Sequence, residues 1–104
     1  MTRLETIFAF VQRKKGSGKH ALTSDGERLY SYSTCIAEWL YDAGRWYCII
    51  NPTKYSRTTT SHLSLLSNKL FQDGYHTFTL HNNKVPLGAY SLIKLFEKER
   101  EQWS

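Results

Sequence analysis

Cys35-Ile36-Ala37-Glu38-Trp39-Leu40-Tyr41-Asp42-Ala43-Gly44-Arg45-Trp46-Tyr47-Cys48-Ile49-Ile50 decides the reading of this chain. Two runs rich in aromatic and branched apolar residues flank Asp42-Ala43-Gly44-Arg45, so the stretch is expected to fold as a β-hairpin. With Ala43-Gly44 as the loop, Trp39 faces Cys48, Tyr41 faces Trp46 and Ala37 faces Ile50. Strand side chains alternate between faces, which puts these pairs on one face. Cross-strand aromatic pairs of this kind contribute about 0.2–1 kcal/mol each. The opposite face carries Ile36, Leu40 and Ile49 beside Glu38 and Tyr47, a mixture that predicts partial cover.

Working outward, Asn51-Pro52 ends the second strand, because proline has no N–H for the ladder. A polar segment, Thr53 to Ser61, leads to a helix expected at about 60–72, with Thr59 or Thr60 as its cap. Leu63, Leu66 and Leu70 face inward there, and Asp73-Gly74 stops the helix. Tyr75–Leu80 alternates as a strand and His81-Asn82-Asn83-Lys84 turns. A last helix is expected at about 88–102, with Leu92, Leu95 and Phe96 inward and the Glu97–Glu101 charge run solvated. Upstream, residues 20–24 predict a short strand, and Asp25-Gly26 turns the chain into Arg28–Tyr32. Thr2 and Glu5 form a capping box opening a helix at about 2–15, with a Leu4, Ile7, Phe8 and Val11 stripe. Arg13, Lys14 and Lys15 then sit at the negative end of its dipole, Gly16 takes the left-handed stop, and Gly16–Lys19 forms a flexible link. The whole predicts one α+β domain over residues 1–104: a small antiparallel sheet built on the central hairpin, with about three helices packed against it.

The 104 residues suffice for a core without staples, and 40% hydrophobic content with seven Tyr, five Phe and three Trp excludes a disordered chain. Two cysteines, Cys35 and Cys48, do not make a disulfide framework, so reduced thiols and a cytoplasmic location are expected. Ile7–Val11 is too short for a signal sequence, and nothing approaches a membrane span. The formal charge of +5 is uneven, with Arg3, Arg13, Lys14, Lys15 and Lys19 set against Glu5 in the first twenty residues. An anionic partner fits that balance.

Enzyme chemistry finds little support. Gly16-Ser17-Gly18-Lys19 is not a phosphate loop, which needs a glycine where Arg13 stands, Ser or Thr where His20 stands, and a preceding strand. His20, His62, His76 and His81 show no metal-ligand spacing with one another or with the cysteines, so no metal or other cofactor is expected. Ser56, Thr58 and His62 lie close in sequence, but no carboxylate nearby orients the imidazole as a triad requires.

Asn51-Pro52-Thr53-Lys54-Tyr55-Ser56-Arg57-Thr58-Thr59-Thr60-Ser61-His62, with Ser31-Tyr32-Ser33-Thr34-Cys35-Ile36-Ala37 upstream, is the most distinctive pattern. It resembles a poorly characterised family of small phage and mobile-element domains. Their shared pattern reads S-Y-x-T-x-I-A, a hairpin, then N-x-T-x-Y-S-x-T-T-S-x-H. Thr60 stands where that pattern has Ser. The resemblance covers about residues 29–70 and implies a mobile-element origin without assigning an activity.

Physically, the segment sets hydroxyls, Lys54 and Arg57 before a helix N-terminus, where free N–H groups and the dipole favour phosphate. The expected function is therefore a non-enzymatic protein that contacts nucleic acid through Lys54, Tyr55, Arg57, Thr58, Thr59 and His62. Arg13, Lys14, Lys15 and Lys19 extend that basic surface. In the competing reading, Thr59, Thr60 and Ser61 cap the helix while Tyr55 and His62 lock the turn to the sheet. The alternative function is a protein-binding inhibitor of a host factor, since Tyr, Trp and Arg are enriched at interface hot spots.

Overall fold

The computed structural model describes residues 2–18, 21–53, 55–81 and 85–102. The central hairpin forms with the expected register. β4 (Thr34–Asp42) pairs antiparallel with β5 (Arg45–Ile50), setting Ala37 against Ile50, Trp39 against Cys48 and Tyr41 against Trp46. Around it stand α1 (Arg3–Val11), β1 (Lys15–Ser17), β2 (Leu22–Asp25), β3 (Arg28–Ser31), α2 (Arg57–Gln72), β6 (His76–Thr79) and α3 (Ile93–Gln102). The described residues are thus mixed α+β with three helices, but their sheet is larger than expected. Six strands follow one another in chain order, and β6 joins parallel to β5 rather than antiparallel. The parallel step follows from α2, which carries the chain back along the sheet before β6 begins.

α1 and α2 cover one face and α3 the other. The first core gathers Ile7, Phe10 and Val11 from α1, Leu66 and Leu70 from α2, and Leu22, Leu29, Ala37, Trp39, Cys48 and Ile50 from the sheet. The second gathers Cys35, Ile49, Leu80 and Val85 with Leu92 and Phe96 beside and on α3. The face expected to be partly covered is therefore well filled, with Ile49 fully buried in it.

A register shift between Leu29 and Tyr30 corrects the alternation read from sequence. Leu29 pairs with Ala37 and Tyr30 with Cys35, which leaves Ile36 as the extra residue of a β-bulge. The bulge returns Ile36 to the α2 side beside Ala37 and puts Cys35 on the α3 side.

Helix boundaries moved for local reasons. The capping box of Thr2 and Glu5 forms. However, α1 ends at Val11, because Arg13 (φ 60°) takes the left-handed step expected of Gly16. The chain freed this early pairs with β2, turning the expected flexible link into β1. Gly26 (φ 98°) closes the next turn, where a Cβ would lie 3.1 Å from the Arg13 carbonyl oxygen. α2 starts at Arg57 with Ser56, not Thr59 or Thr60, as its cap: Ser56 Oγ accepts the Thr59 N–H at 3.1 Å. α3 starts at Ile93 rather than 88, after a Pro86–Ala89 turn in which Gly88 has φ 84°. Glu99, expected on its solvated face, is buried, and its Oε1 accepts the His81 N–H at 2.6 Å. The rest of the expected His81–Lys84 turn lies outside the described residues.

Candidate functional site

The hydroxyl-rich motif folds inward. Ser56, at the mouth of α2, donates to Thr59 Oγ1 at 3.2 Å; Thr59 Oγ1 lies 3.1 Å from Ser31 Oγ, and Ser31 Oγ lies 3.1 Å from His62 Nδ1. With Nδ1 as acceptor, one sense of donation runs from exposed Ser56 to buried His62. Ser31, Thr59 and His62 are all buried, so this chain ties α2 to the end of β3. His62 thus meets Ser31 from a distant strand, not the Ser56 and Thr58 beside it in sequence.

A second set braces the segment before α2. Asn51 Nδ2 donates to the Cys35 carbonyl and to Tyr55 Oη, each at 3.0 Å, while Asn51 Oδ1 accepts the Thr53 N–H at 3.1 Å. Tyr55 Oη donates onward to the Val85 carbonyl. Thr34 Oγ1 accepts the Gly88 N–H at 2.8 Å, which holds the loop before α3 against the same end of the sheet. Glu38 works similarly from the other side: only 2% exposed, its carboxylate accepts from Arg28 Nε at 2.8 Å, Ser91 Oγ at 2.9 Å and Leu92 N–H at 2.7 Å.

The residues expected to form one basic surface are divided. Arg57 is exposed and Thr58 and Tyr55 half-buried at the start of α2, while Thr59 and His62 are turned into the interior. Lys19 and Lys54 lie outside the described residues. Arg13 sits far from this group, its guanidinium packed over Trp46 at 4.7 Å and Trp39 at 5.6 Å. Trp39 in turn meets Tyr75, just past the end of α2, at 5.0 Å. Lys14 and Lys15 are exposed beside Arg13, so they stand at the opposite end of α2 from Arg57. Sixteen helical residues separate the two ends by about 24 Å.

What the structure brings together at the start of α2 is a set of rings. Tyr32 and Ser33 form the β3–β4 turn, with φ of 49° and 67°, and Tyr32 is 48% exposed. On one side of this turn a cleft of about 280 Å³ is lined by Tyr32, Tyr55, Ser56, Thr58 and Leu87. On the other, a cleft of about 380 Å³ is lined by Ala21, Thr23, Tyr30, Ser33 and Tyr90. Leu87 and Tyr90 are 74% and 71% exposed. Sequence reasoning missed these two because it began a helix at about 88, just after Leu87 and across Tyr90. Pro86-Leu87-Gly88 was the available turn signal.

Among the described residues, no cluster of three or more His, Cys, Asp or Glu is arranged to hold a metal ion. Cys35 and Cys48 are free and buried, and burial pushes both thiols up, Cys35 to about 12. No helix among the described residues is long and apolar enough to cross a membrane.

A family model described as a family of unknown function (DUF8033) matches residues 3–79. The chain belongs to that family. The matched span runs from α1 through β6, and so includes the internal hydroxyl chain and the Tyr32-Ser33 turn. Leu87, Tyr90 and α3 lie beyond it. No curated protein and no solved structure matches the chain.

Proposed function

We propose that this chain is a small non-enzymatic binding protein of phage or mobile-element origin that contacts nucleic acid at the end where α2 begins. The observation that supports this reading is the company Arg57 keeps. It stands exposed at the first turn of a sixteen-residue helix with no acidic residue in that turn. The half-buried Thr58 and the cleft lined by Tyr32 and Tyr55 adjoin it. Such a place attracts phosphate through the helix dipole and offers rings to bases. The chain's +5 charge adds long-range attraction. Thr59 and His62 enter as braces that fix this surface, and Arg13 as a packed residue, so the contacting set contracts to Tyr55, Arg57 and Thr58, with Lys14 and Lys15 as a distant second patch. The free buried thiols suit a reducing cytoplasm.

Salt-titrated binding to DNA and RNA tests the reading. Phosphate contacts make affinity fall steeply as salt rises. Absence of binding at low salt contradicts it.

A second reading, a protein-binding inhibitor of a host factor, is favoured by Leu4, Phe8 and Phe71, exposed apolar residues on the helical layer. Affinity capture from host lysate after nuclease treatment separates the two. A retained protein partner favours the second.

A further inference from the structure

We infer that the ligand at this end is single-stranded nucleic acid, DNA or RNA, whose unstacked bases enter the two clefts beside the Tyr32-Ser33 turn; this rests on the nucleic-acid reading above. The turn is the first ground. Two-residue hairpin turns with both residues left-handed ordinarily use Asn-Gly, because side chains crowd the backbone there. Here the turn holds Tyr32 and Ser33 instead. The strained position keeps a large ring half in solvent at the rim of a cleft, where packing gains little from it.

The rings around it form the second ground. Tyr55 lines the first cleft and cannot swing away, because its hydroxyl is fastened to Asn51 and the Val85 carbonyl. Tyr90 lines the second, with the Arg28 guanidinium 4.9 Å from its ring centre. Rings fixed beside neighbouring clefts suit successive bases of a strand, since every base has a face to stack whatever its identity.

A duplex fits this end poorly. Its base faces are hidden, and its major groove admits a projecting helix or ribbon. α2 instead lies on the sheet with Thr59, His62, Leu66 and Leu70 buried, and the β3–β4 turn is two residues long. Arg57 stands beside Tyr55 and Ser56 of the first cleft and gives a polyanion a cation to meet. No carboxylate is among the described residues lining either cleft. Near the second cleft, Asp25 and Glu38 both pair with Arg28, at 4.0 Å and 2.8 Å.

Fluorescence anisotropy with labelled oligothymidylate, oligouridylate and a mixed-sequence duplex, at low salt, tests the inference. Both single strands are expected to bind roughly tenfold or more tightly than the duplex, and Tyr32→Asn and Tyr90→Ala each to lose roughly tenfold. Tyr32→Asn suits the left-handed backbone, so it keeps the turn while removing the ring. Phe71→Ala removes an exposed ring elsewhere and is expected to bind as the parent does. A duplex bound as tightly as the single strands, or unchanged binding by both tyrosine variants, overturns the single-strand inference and leaves the nucleic-acid reading standing. Failure to bind any of the three probes overturns both. Binding of only one single strand assigns the site to DNA or to RNA and upholds the inference.

Discussion

Asn51 stands just past β5, fully buried, with its side-chain amide shared among the Cys35 carbonyl, Tyr55 Oη and the Thr53 N–H. Removing it strands buried polar groups on two segments at once, so Asn51→Ala is expected to destabilise the fold by about 2–3 kcal/mol. A shift in the urea midpoint measures this. A loss below half a kcal/mol contradicts the role given to Asn51. The thiols give a second test. Cys35 and Cys48 are held above their ordinary value of 9.0 by burial, Cys35 at about 12. The unfolded chain releases these protons near pH 9 while the folded chain retains them. Their contribution is thus full below pH 9 and lost progressively as pH climbs toward 12. Each thiol adds a fall of about 1 kcal/mol per pH unit in that window. Unfolding free energies from pH 8 to 11 are expected to fall less steeply in Cys35→Ala than in the parent. Identical slopes contradict the burial effect.

The β3–β4 turn connects stability with the proposed binding. Replacing Tyr32-Ser33 by Asn-Gly suits both left-handed residues and is expected to raise stability by about 1 kcal/mol, since each strained residue costs on that order. The same change is expected to weaken oligonucleotide binding, and thermal melts with anisotropy read the two effects side by side. A turn that gains no stability was not strained. The elements also show why some of the fold was legible and some not. The hairpin register followed from one tight turn and an aromatic pattern, and it holds through Ala37 and Ile50. The Thr2–Glu5 capping box was equally local. The bulge at Ile36 was not legible, because it arises where β3 meets β4, and Cys35, Ile36 and Ala37 are all apolar and buried on two covered faces, which hides the break in alternation. The early end of α1 was missed because Arg13 adopts a backbone that sequence assigns to glycine. The motif segment was recognised, yet its direction was not. Ser31 and His62 are thirty-one residues apart, and only the sheet brings them within 3.1 Å.

Across the described residues, helices lie on both faces of a six-stranded sheet, and the polar motif fastens the layers at one end. α2 is tied down through Thr59 and His62, and the loop before α3 through Thr34 and Tyr55. Between those ties the Tyr32-Ser33 turn presents its clefts, while Arg13 is spent on the tryptophans at the far end. Contact with nucleic acid is proposed to fall where these fastenings converge. Backbone amide mapping by NMR during titration with a single-stranded oligonucleotide at low salt tests it most directly. Shifts are expected to concentrate at Tyr32, Ser33, Arg57, Thr58, Leu87 and Tyr90, with Lys14 and Lys15 changing weakly. Shifts confined to Arg13–Lys15 or to the Leu4, Phe8 and Phe71 surface, or none at all, would contradict it.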